Sequence, residues 1–206
     1  MTPLHLALLG DSLAHGTGAA RPSEGLGPRL AAALSAAGLV TVERVLAVPG
    51  ARSADLADQV ARGASWRPDL ALVVVGANDL VQQVPVHAAA EQLGRAVLAL
   101  RARGADVLVV PAPDLSVLAA VPTTGRGLVR AASALLRAAQ VDAVVTAGGQ
   151  VLDLDDALSP AFASDPALFS ADRFHPSSAG YARIAAALLP AVLGAARGRA
   201  LVADDA

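Results

Sequence analysis

Short apolar segments alternate with helical segments along most of this chain, and this alternation constrains the fold more than any other feature. The apolar segments have the length of buried strands, and several end at glycine or proline. We predict five strands: Leu4–Leu9, Thr41–Val48, Leu70–Val75, Val107–Val110 and Ala143–Val145.

Alanine- and leucine-rich stretches between these strands predict helices. They cover Glu24–Ala37, Ser53–Arg62, Val86–Arg103, Arg126–Ala139 and Pro176–Leu193, with Pro190 expected to kink or shorten the last one. Apolar strands alternating with helices predict an α/β fold, in which helices cover both faces of a parallel sheet. No linker or repeat divides the chain. We therefore expect a single domain over residues 1–196 and a frayed tail over residues 197–206.

Composition excludes several classes of function. The chain has no cysteine, so disulfides, thiolate metal sites and a cysteine nucleophile are excluded. All basic residues are arginine, which excludes Schiff-base lysine chemistry. The net charge of -2, without a basic stripe, argues against nucleic-acid binding. No two histidines have metal-ligand spacing, and we expect neither a metal nor a cofactor.

No segment has the pattern of a membrane span or a signal peptide. The longest apolar stretch, Ile184–Ala196, contains Pro190 and falls short of the roughly 20 residues that a span needs. Residues 1–9 lack the basic start and the cleavage site of a signal peptide. We therefore expect no integral membrane segment and a cytoplasmic location; the sequence carries no signal for an oligomeric state.

Polar motifs occupy the ends of the predicted strands. In a parallel α/β sheet, ligands bind outside the carboxyl ends of the strands, and so these motifs should meet at one edge. In chain order they are Gly10-Asp11-Ser12-Leu13, Pro49-Gly50-Ala51, Gly76-Ala77-Asn78-Asp79 and Asp172-Arg173-Phe174-His175-Pro176.

These residue types suit nucleophilic catalysis on an ester. A serine hydroxyl such as that of Ser12 needs a base to take its proton, and His175 is the candidate base. Asp172, three residues earlier, can accept the Nδ1 proton and stabilise the imidazolium. The backbone N–H groups of Ser12 and Gly50 and the amide of Asn78 could bind the oxyanion, whereas an aspartate in place of Asn78 would offer only acceptors.

Residues near these motifs have structural or pocket-lining interpretations. We interpret Gly76 as a turn glycine and Asp79 as a residue that shapes its loop. Asp11 could anchor the Ser12 turn or act in the site, and His15 could line the site or lie on the surface. An acyl pocket could be walled by Phe162, Phe169, Phe174 and the segment of residues 111–122.

Taken together, the four motifs resemble the SGNH (GDSL-type) esterase and lipase family, which is named for a serine, glycine, asparagine and histidine in four separate blocks. Here the blocks contain Ser12, Gly50, Asn78 and His175, in the family's order. The resemblance implies a serine ester hydrolase with the triad Ser12, His175 and Asp172 and an oxyanion hole of Ser12, Gly50 and Asn78. It also implies a three-layer α/β/α sandwich with a five-stranded parallel sheet of flavodoxin-like order.

The expected partner is a small-molecule ester substrate. The chain shows no insertion that could form a lid, and so we expect acetyl to butyryl esters to react faster than long-chain ones. Acyl transfer to an alcohol or sugar through the same serine is an alternative. A more remote alternative is a module that binds a nucleotide or flavin through the glycines of Gly16-Thr17-Gly18. The glycine motif of such modules needs a third glycine, however, and Arg21 occupies its place.

Overall fold

The computed structural model describes residues 3–204. Five strands in this part of the chain form one parallel sheet. In sequence the strands are β1 (Leu4–Gly10), β2 (Thr41–Val45), β3 (Leu70–Val74), β4 (Asp106–Val110) and β5 (Gln150–Val151). Their order across the sheet is β2-β1-β3-β4-β5. The carboxyl ends of β1 and β3 therefore flank the switch point at which sheets of this type bind ligands.

Helices cover both faces of this sheet. The α-helices of the described chain are α1 (Ser12–His15), α2 (Leu26–Ala36), α3 (Leu56–Gly63), α4 (Ala77–Val81), α5 (Val86–Arg101), α6 (Arg126–Thr146), α7 (Asp155–Ser164) and α8 (Ser178–Asp204).

Two apolar cores lie on opposite faces of the sheet because successive strand side chains point in opposite directions. Leu6 and Leu8 of β1 pack in one core with α2 and α8. Ala7 and Leu9 of the same strand pack in the other core with α3 and α5. The predicted three-layer α/β/α sandwich with flavodoxin-like strand order is confirmed.

The fifth strand lies later in the chain than predicted. Residues 143–145, read as a strand from their valine content, belong to α6, where Val144 is fully buried and Val145 is exposed. Gly148 (φ +74°) and Gly149 follow the end of this helix, and β5 begins directly after them. The packing of α6 against α5 and the position of these two glycines override the strand propensity of the valines.

Helix α7 was not predicted at all. Pro160 lies in its interior, where proline removes a backbone hydrogen bond and disfavours a helix. Leu154, Leu158 and Phe162 follow one another at intervals of four residues, as on one face of a helix. This spacing is the signal that could have revealed the helix.

Helix α8 is longer than predicted. It continues through Pro190, where we expected a kink or an end, and through Arg197, where we expected a frayed tail, as far as Asp204. The segment Ser178–Ala200 is long and apolar enough to cross a membrane by length and composition, which corrects the expectation that no segment would qualify. One face of α8, including Leu188 and Val192, is nevertheless fully buried in the core of this domain.

Candidate active site

The turn that carries Ser12 follows directly on β1. Gly10 has φ +125°, and a Cβ here would lie 1.7 Å from the carbonyl oxygen of Val74, so only glycine fits. The Asp11 carboxylate accepts a hydrogen bond from the backbone N–H of Leu13 at 3.0 Å and caps α1. These contacts hold Ser12, which is 9% exposed, at the carboxyl end of β1.

Two buried glutamines, which none of the four motifs includes, bind backbone groups at the carboxyl ends of β1, β3 and β4. Gln59 of α3 accepts the N–H of Gly10 at 2.7 Å through Oε1 and donates to its carbonyl at 2.8 Å through Nε2. Gln140 of α6 accepts the N–H of Ala112 at 2.8 Å and donates to the carbonyl of Val75 at 3.1 Å. A glutamine within the buried stripe of each helix is the signal that could have found them.

The loop before α8 brings His175 and Asp172 together. The distance between His175 Nδ1 and Asp172 Oδ2 is 2.6 Å. The other carboxylate oxygen accepts the backbone N–H groups of Phe174 and His175, both at 2.9 Å, and the hydroxyl of Ser170 at 2.8 Å. Asp172 is thus fixed by its own loop, and it in turn orients the imidazole ring.

These hydrogen bonds keep Asp172 ionised. The His175 ring, followed by the backbone N–H of Phe174, holds the pKa of Asp172 well below its usual range. An ionised carboxylate can only accept, so the Nδ1 atom of His175 carries the shared proton. In the neutral ring this leaves Nε2 unprotonated and available as a base.

Ser12 and His175 line the same cavity, which has a volume of about 150 Å³. Ala77, in the segment that follows β3, lines it too. The structure therefore brings three of the four predicted segments to one place at the carboxyl edge of the sheet.

Most of the cavity wall is apolar. All three phenylalanines of the chain, Phe162, Phe169 and Phe174, contribute to it. The segment after β4 and helix α7 supply further apolar side chains, among them Pro111, Leu115, Leu118 and Leu158.

Gly50 and Asn78 are not among the residues that line this cavity. Gly50 (φ +82°) lies exposed in the turn after β2. Asn78 Nδ2 donates to the carbonyl of Ala51 at 3.0 Å, which holds the amide against that turn and leaves its second N–H for another acceptor. The structure thus joins Asn78 to the Gly50 turn, and Ala77, the chain neighbour of Asn78, reaches the cavity.

Two further aspartates lie buried beside these segments. Both oxygens of Asp79 accept hydrogen bonds from Ser53, at 3.0–3.2 Å, so Asp79 ties α4 to the segment directly before α3. Burial raises the pKa of Asp79 against the effect of these hydrogen bonds. Burial, with a smaller contribution from the charge of Asp79, also raises the pKa of Asp11 to about 6. Asp11 caps α1, as an anchor of the Ser12 turn would, and it also lines the cavity.

The remaining histidines lie outside the cavity lining. His15 is exposed, and its Nδ1 lies 3.5 Å from the hydroxyl of Thr17. His87 is exposed on α5, and His5 stacks on Trp66 with ring centroids 4.7 Å apart. Within residues 3–204, no group of three or more histidine, aspartate and glutamate side chains is arranged to hold a metal ion.

Comparison with known proteins points to one family. Residues 8–183 match the GDSL-like Lipase/Acylhydrolase family. The GDSL-like esterase Rv1075c of Mycobacterium tuberculosis is 38% identical over 193 residues, which are 90% of this chain and 60% of that protein. The chain thus spans 60% of the length of this relative.

Solved structures with the same fold include several esterases. TesA aligns with a TM-score of 0.73 and 20% identity, over 90% of this chain and 96% of its own. A variant of Axe2, an acetyl-xylooligosaccharide esterase from Geobacillus, aligns with a TM-score of 0.74 and 20% identity, over 92% and 94% of the two chains. The psychrotrophic esterase EstA from Pseudoalteromonas sp. aligns with a TM-score of 0.66 and 17% identity, over 98% and 99%.

Proposed function

Because this chain belongs to the GDSL-like lipase/acylhydrolase family, as its four motifs predicted, we propose that it is a serine esterase whose nucleophile is Ser12. The observation that carries the proposal is the 2.6 Å contact between His175 Nδ1 and Asp172, on a loop that borders the same cavity as Ser12. A serine near an imidazole that is oriented by a carboxylate is the arrangement that activates a hydroxyl for acyl transfer.

The reaction then proceeds in two halves. The hydroxyl oxygen of Ser12 attacks the carbonyl carbon of the ester while Nε2 of His175 takes the hydroxyl proton. The tetrahedral intermediate expels the alcohol, which receives that proton from His175, and an acyl-Ser12 ester remains. Water, deprotonated by the same Nε2, attacks the acyl carbon. The second intermediate then breaks its bond to Ser12, whose oxygen receives the proton from His175, and the carboxylic acid leaves.

The oxyanion of each intermediate needs donors that are already in place. We assign this role to the backbone N–H groups of Ser12 and Gly50 and to the Asn78 amide. The hydrogen bond from Asn78 to Ala51 supports the assignment, because it fixes one N–H and directs the plane of the amide. Loss of one such donor is expected to lower kcat about 10²–10³-fold.

The test of the nucleophile and base uses p-nitrophenyl butyrate. Ser12→Ala and His175→Ala should each abolish hydrolysis above the uncatalysed rate, with an unchanged circular-dichroism spectrum. His15→Ala, at an exposed histidine outside the cavity lining, is the matched control and should keep wild-type kcat. Hydrolysis by Ser12→Ala at the wild-type rate would refute the proposal.

The cavity favours esters with a short apolar acyl group. A protein cavity of about 150 Å³ with apolar walls holds one benzene ring, which has six carbon atoms. We expect kcat/KM to rise from acetyl towards butyryl and hexanoyl esters, by up to about fourfold for each buried methylene, and to fall for decanoyl esters. The acyl-length preference is then set by the cavity walls.

A single wall residue tests that preference. Leu158→Trp adds volume to the cavity wall and should shift the optimum to acetyl esters. Leu135→Trp makes the same change on the exposed side of α6, where Leu135 is 62% exposed, and should leave the profile unchanged. An optimum at decanoyl in the wild type, or the same profile in both variants, would contradict the acyl assignment.

A further inference from the structure

The segment that follows Ser12 packs directly against the segment that follows His175. Gly18 (φ +95°) makes the closest approach, since a Cβ there would lie 2.5 Å from the carbonyl oxygen of Pro176 and 2.8 Å from Cβ of His175. Gly18, which belongs to the Gly16-Thr17-Gly18 sequence considered above for a nucleotide or flavin module, therefore packs against the loop that carries His175.

A buried tyrosine adds a second contact between the same segments. The hydroxyl of Tyr181, in the first turn of α8, donates to the carbonyl of Thr17 at 2.8 Å and lies 3.4 Å from the carbonyl of Ser12. Burial raises the pKa of Tyr181, so it remains a neutral donor over the whole working range of pH. Tyr181 thereby connects the helix that starts after His175 with the helix that starts at Ser12.

A third set of contacts lies where the two segments leave the cavity, and we name Glu24, Arg29 and Ser178 the latch. The hydroxyl of Ser178 donates to Glu24 Oε2 at 2.5 Å and accepts the backbone N–H of Ala20 at 3.0 Å. Arg29 Nη2 donates to the carbonyl of Ser178 at 3.1 Å, and Arg29 Nε donates to the carbonyl of Glu24 at 2.7 Å.

The hydrogen bonds of the latch are suited to holding the Ser12 segment and the His175 segment in a fixed relative position. A hydrogen bond to a carboxylate is stronger than one between neutral groups, and both Glu24 and Ser178 are partly buried. Ser178 is three residues from His175, and Glu24 lies on the segment that leaves the Ser12 turn. A shift of one segment against the other would change the distance between the Ser12 hydroxyl and the His175 ring.

We propose that Glu24, acting through Ser178, is a positioning residue that sets the approach of the His175 ring to Ser12. The proposal rests on the proposed serine esterase function. Glu24 lies outside the cavity lining and touches no reacting atom, so its effect should fall on the rate of acyl transfer and leave substrate binding unchanged.

Three variants test this role with p-nitrophenyl butyrate as substrate. Glu24→Ala should lower kcat about tenfold and change KM less than about twofold, short of the roughly hundredfold loss that a 1 Å misplacement can cause. Glu24→Gln keeps an oxygen that accepts the Ser178 hydroxyl and should recover most of kcat. Ser178→Ala should reproduce the loss seen in Glu24→Ala.

A covalent probe separates positioning from general destabilisation. The second-order rate of labelling by a fluorophosphonate depends on activation of Ser12 by His175, and it should fall in parallel with kcat in Glu24→Ala. Glu91→Ala, which removes an exposed carboxylate paired with Arg95 on α5, is the control and should label at the wild-type rate.

The outcomes discriminate between the two proposals. Wild-type kcat and labelling in Glu24→Ala, or a lower melting temperature as its only change, would overturn the positioning role and leave the esterase proposal intact. A Glu24→Gln variant as slow as Glu24→Ala would also overturn it. Full activity in Ser12→Ala would instead refute the esterase proposal itself.

Discussion

Four buried polar side chains at the carboxyl edge of the sheet are held differently from the ion pairs at its amino edge. At the carboxyl edge, Asp11, Gln59, Asp79 and Gln140 are at most 3% exposed, and their hydrogen bonds run to backbone groups or to Ser53. At the amino edge, Arg199 lies 3.6 Å from Asp69 and 3.7 Å from Asp106, with all three side chains 30–40% exposed.

The burial of a polar contact determines how much its loss lowers the stability of the fold. A buried donor or acceptor that loses its partner remains without one and costs about 1–3 kcal/mol, whereas water replaces the partner of an exposed ion. The carboxyl edge should therefore be rigid and sensitive to substitution, and the amino edge should tolerate it. This difference matches the place of the candidate site, because catalysis requires donors and acceptors that are already oriented.

Apart from the loss of Ser12 or His175 themselves, the largest expected effect comes from Asp172. Asp172→Asn replaces an acceptor by an amide that can donate to the ring, which favours the tautomer with the proton on Nε2 and leaves no base for Ser12. We expect kcat to fall roughly 10³–10⁴-fold with an unchanged fold. Steady-state kinetics with p-nitrophenyl butyrate provides the measurement.

Asp165→Asn is the matched control for this substitution. Asp165 precedes the same loop, and it accepts the backbone N–H of Ala167 at 2.9 Å, which an asparagine oxygen can also do. Its kcat should equal the wild-type value. If both variants retained wild-type kcat, Asp172 would have no role in orienting the base.

The next largest effect is expected at Gln59. Gln59→Leu leaves the N–H of Gly10 without a partner in the core, whereas the carbonyl of Gly10 still accepts the N–H of Val48 at 3.1 Å. The free energy of unfolding should therefore fall by about 1–3 kcal/mol. Because Gly10 precedes the Ser12 turn, kcat should fall too. Urea unfolding and kinetics on the same samples measure both effects.

Gln59→Glu adds a test in which the stability of the variant depends on pH. A protonated carboxyl can accept from one backbone group of Gly10 and donate to the other, but an ionised one cannot donate. Burial raises the pKa of such a glutamate in the folded state, so the stability of Gln59→Glu should be greatest at low pH and fall as pH rises. A stability difference from wild type that is the same at pH 4 and pH 8 would contradict this account.

Asp11 should give a smaller effect that depends on pH. Its pKa is about 6 in the folded protein and near 3.8 when unfolded, so raising the pH ionises the unfolded state first and lowers stability. Asp11→Asn keeps an oxygen to cap Leu13 and does not titrate. From pH 4 to pH 7 the wild type should lose about 2 kcal/mol of unfolding free energy relative to this variant.

The charges near Asp11 are the same in both proteins, which isolates its titration. Asp79 raises the pKa of Asp11 and His175 lowers it, and neither residue is changed. Urea unfolding of wild type and variant at several pH values gives the difference directly. A difference that stays constant from pH 4 to pH 7 would show that Asp11 titrates alike in the folded and unfolded states.

The sequence predicted the sheet and the candidate residues because both leave local patterns. Apolar runs that end at Gly10 and Gly76 marked β1 and β3, and the polar residues just beyond them marked the carboxyl edge. The prediction failed at β5, where Val144 and Val145 have strand propensity but pack as part of a helix. Local propensity could not reveal the partner helix that decides their conformation.

The supporting contacts of the site left no local pattern. Gln59 lies 49 residues from Gly10, and Glu24 lies 154 residues from Ser178. Each pair forms only because the sheet order places β1 beside α3 and α8 beside α2. Such contacts depend on the assembled fold, and so sequence motifs indicate the candidate reacting groups but not the residues that hold them in place.

The smallest effect is expected at the amino edge. Arg199→Ala removes exposed ion pairs with Asp69 and Asp106, so it should change the free energy of unfolding by less than about 1 kcal/mol and leave kcat unchanged. Urea unfolding at low and at high salt measures the first quantity, and the difference from wild type should shrink as salt screens the pairs. A loss as large as that of Gln59→Leu would mean that the amino edge is held as firmly as the carboxyl edge. Burial would then not explain why the candidate site lies where it does.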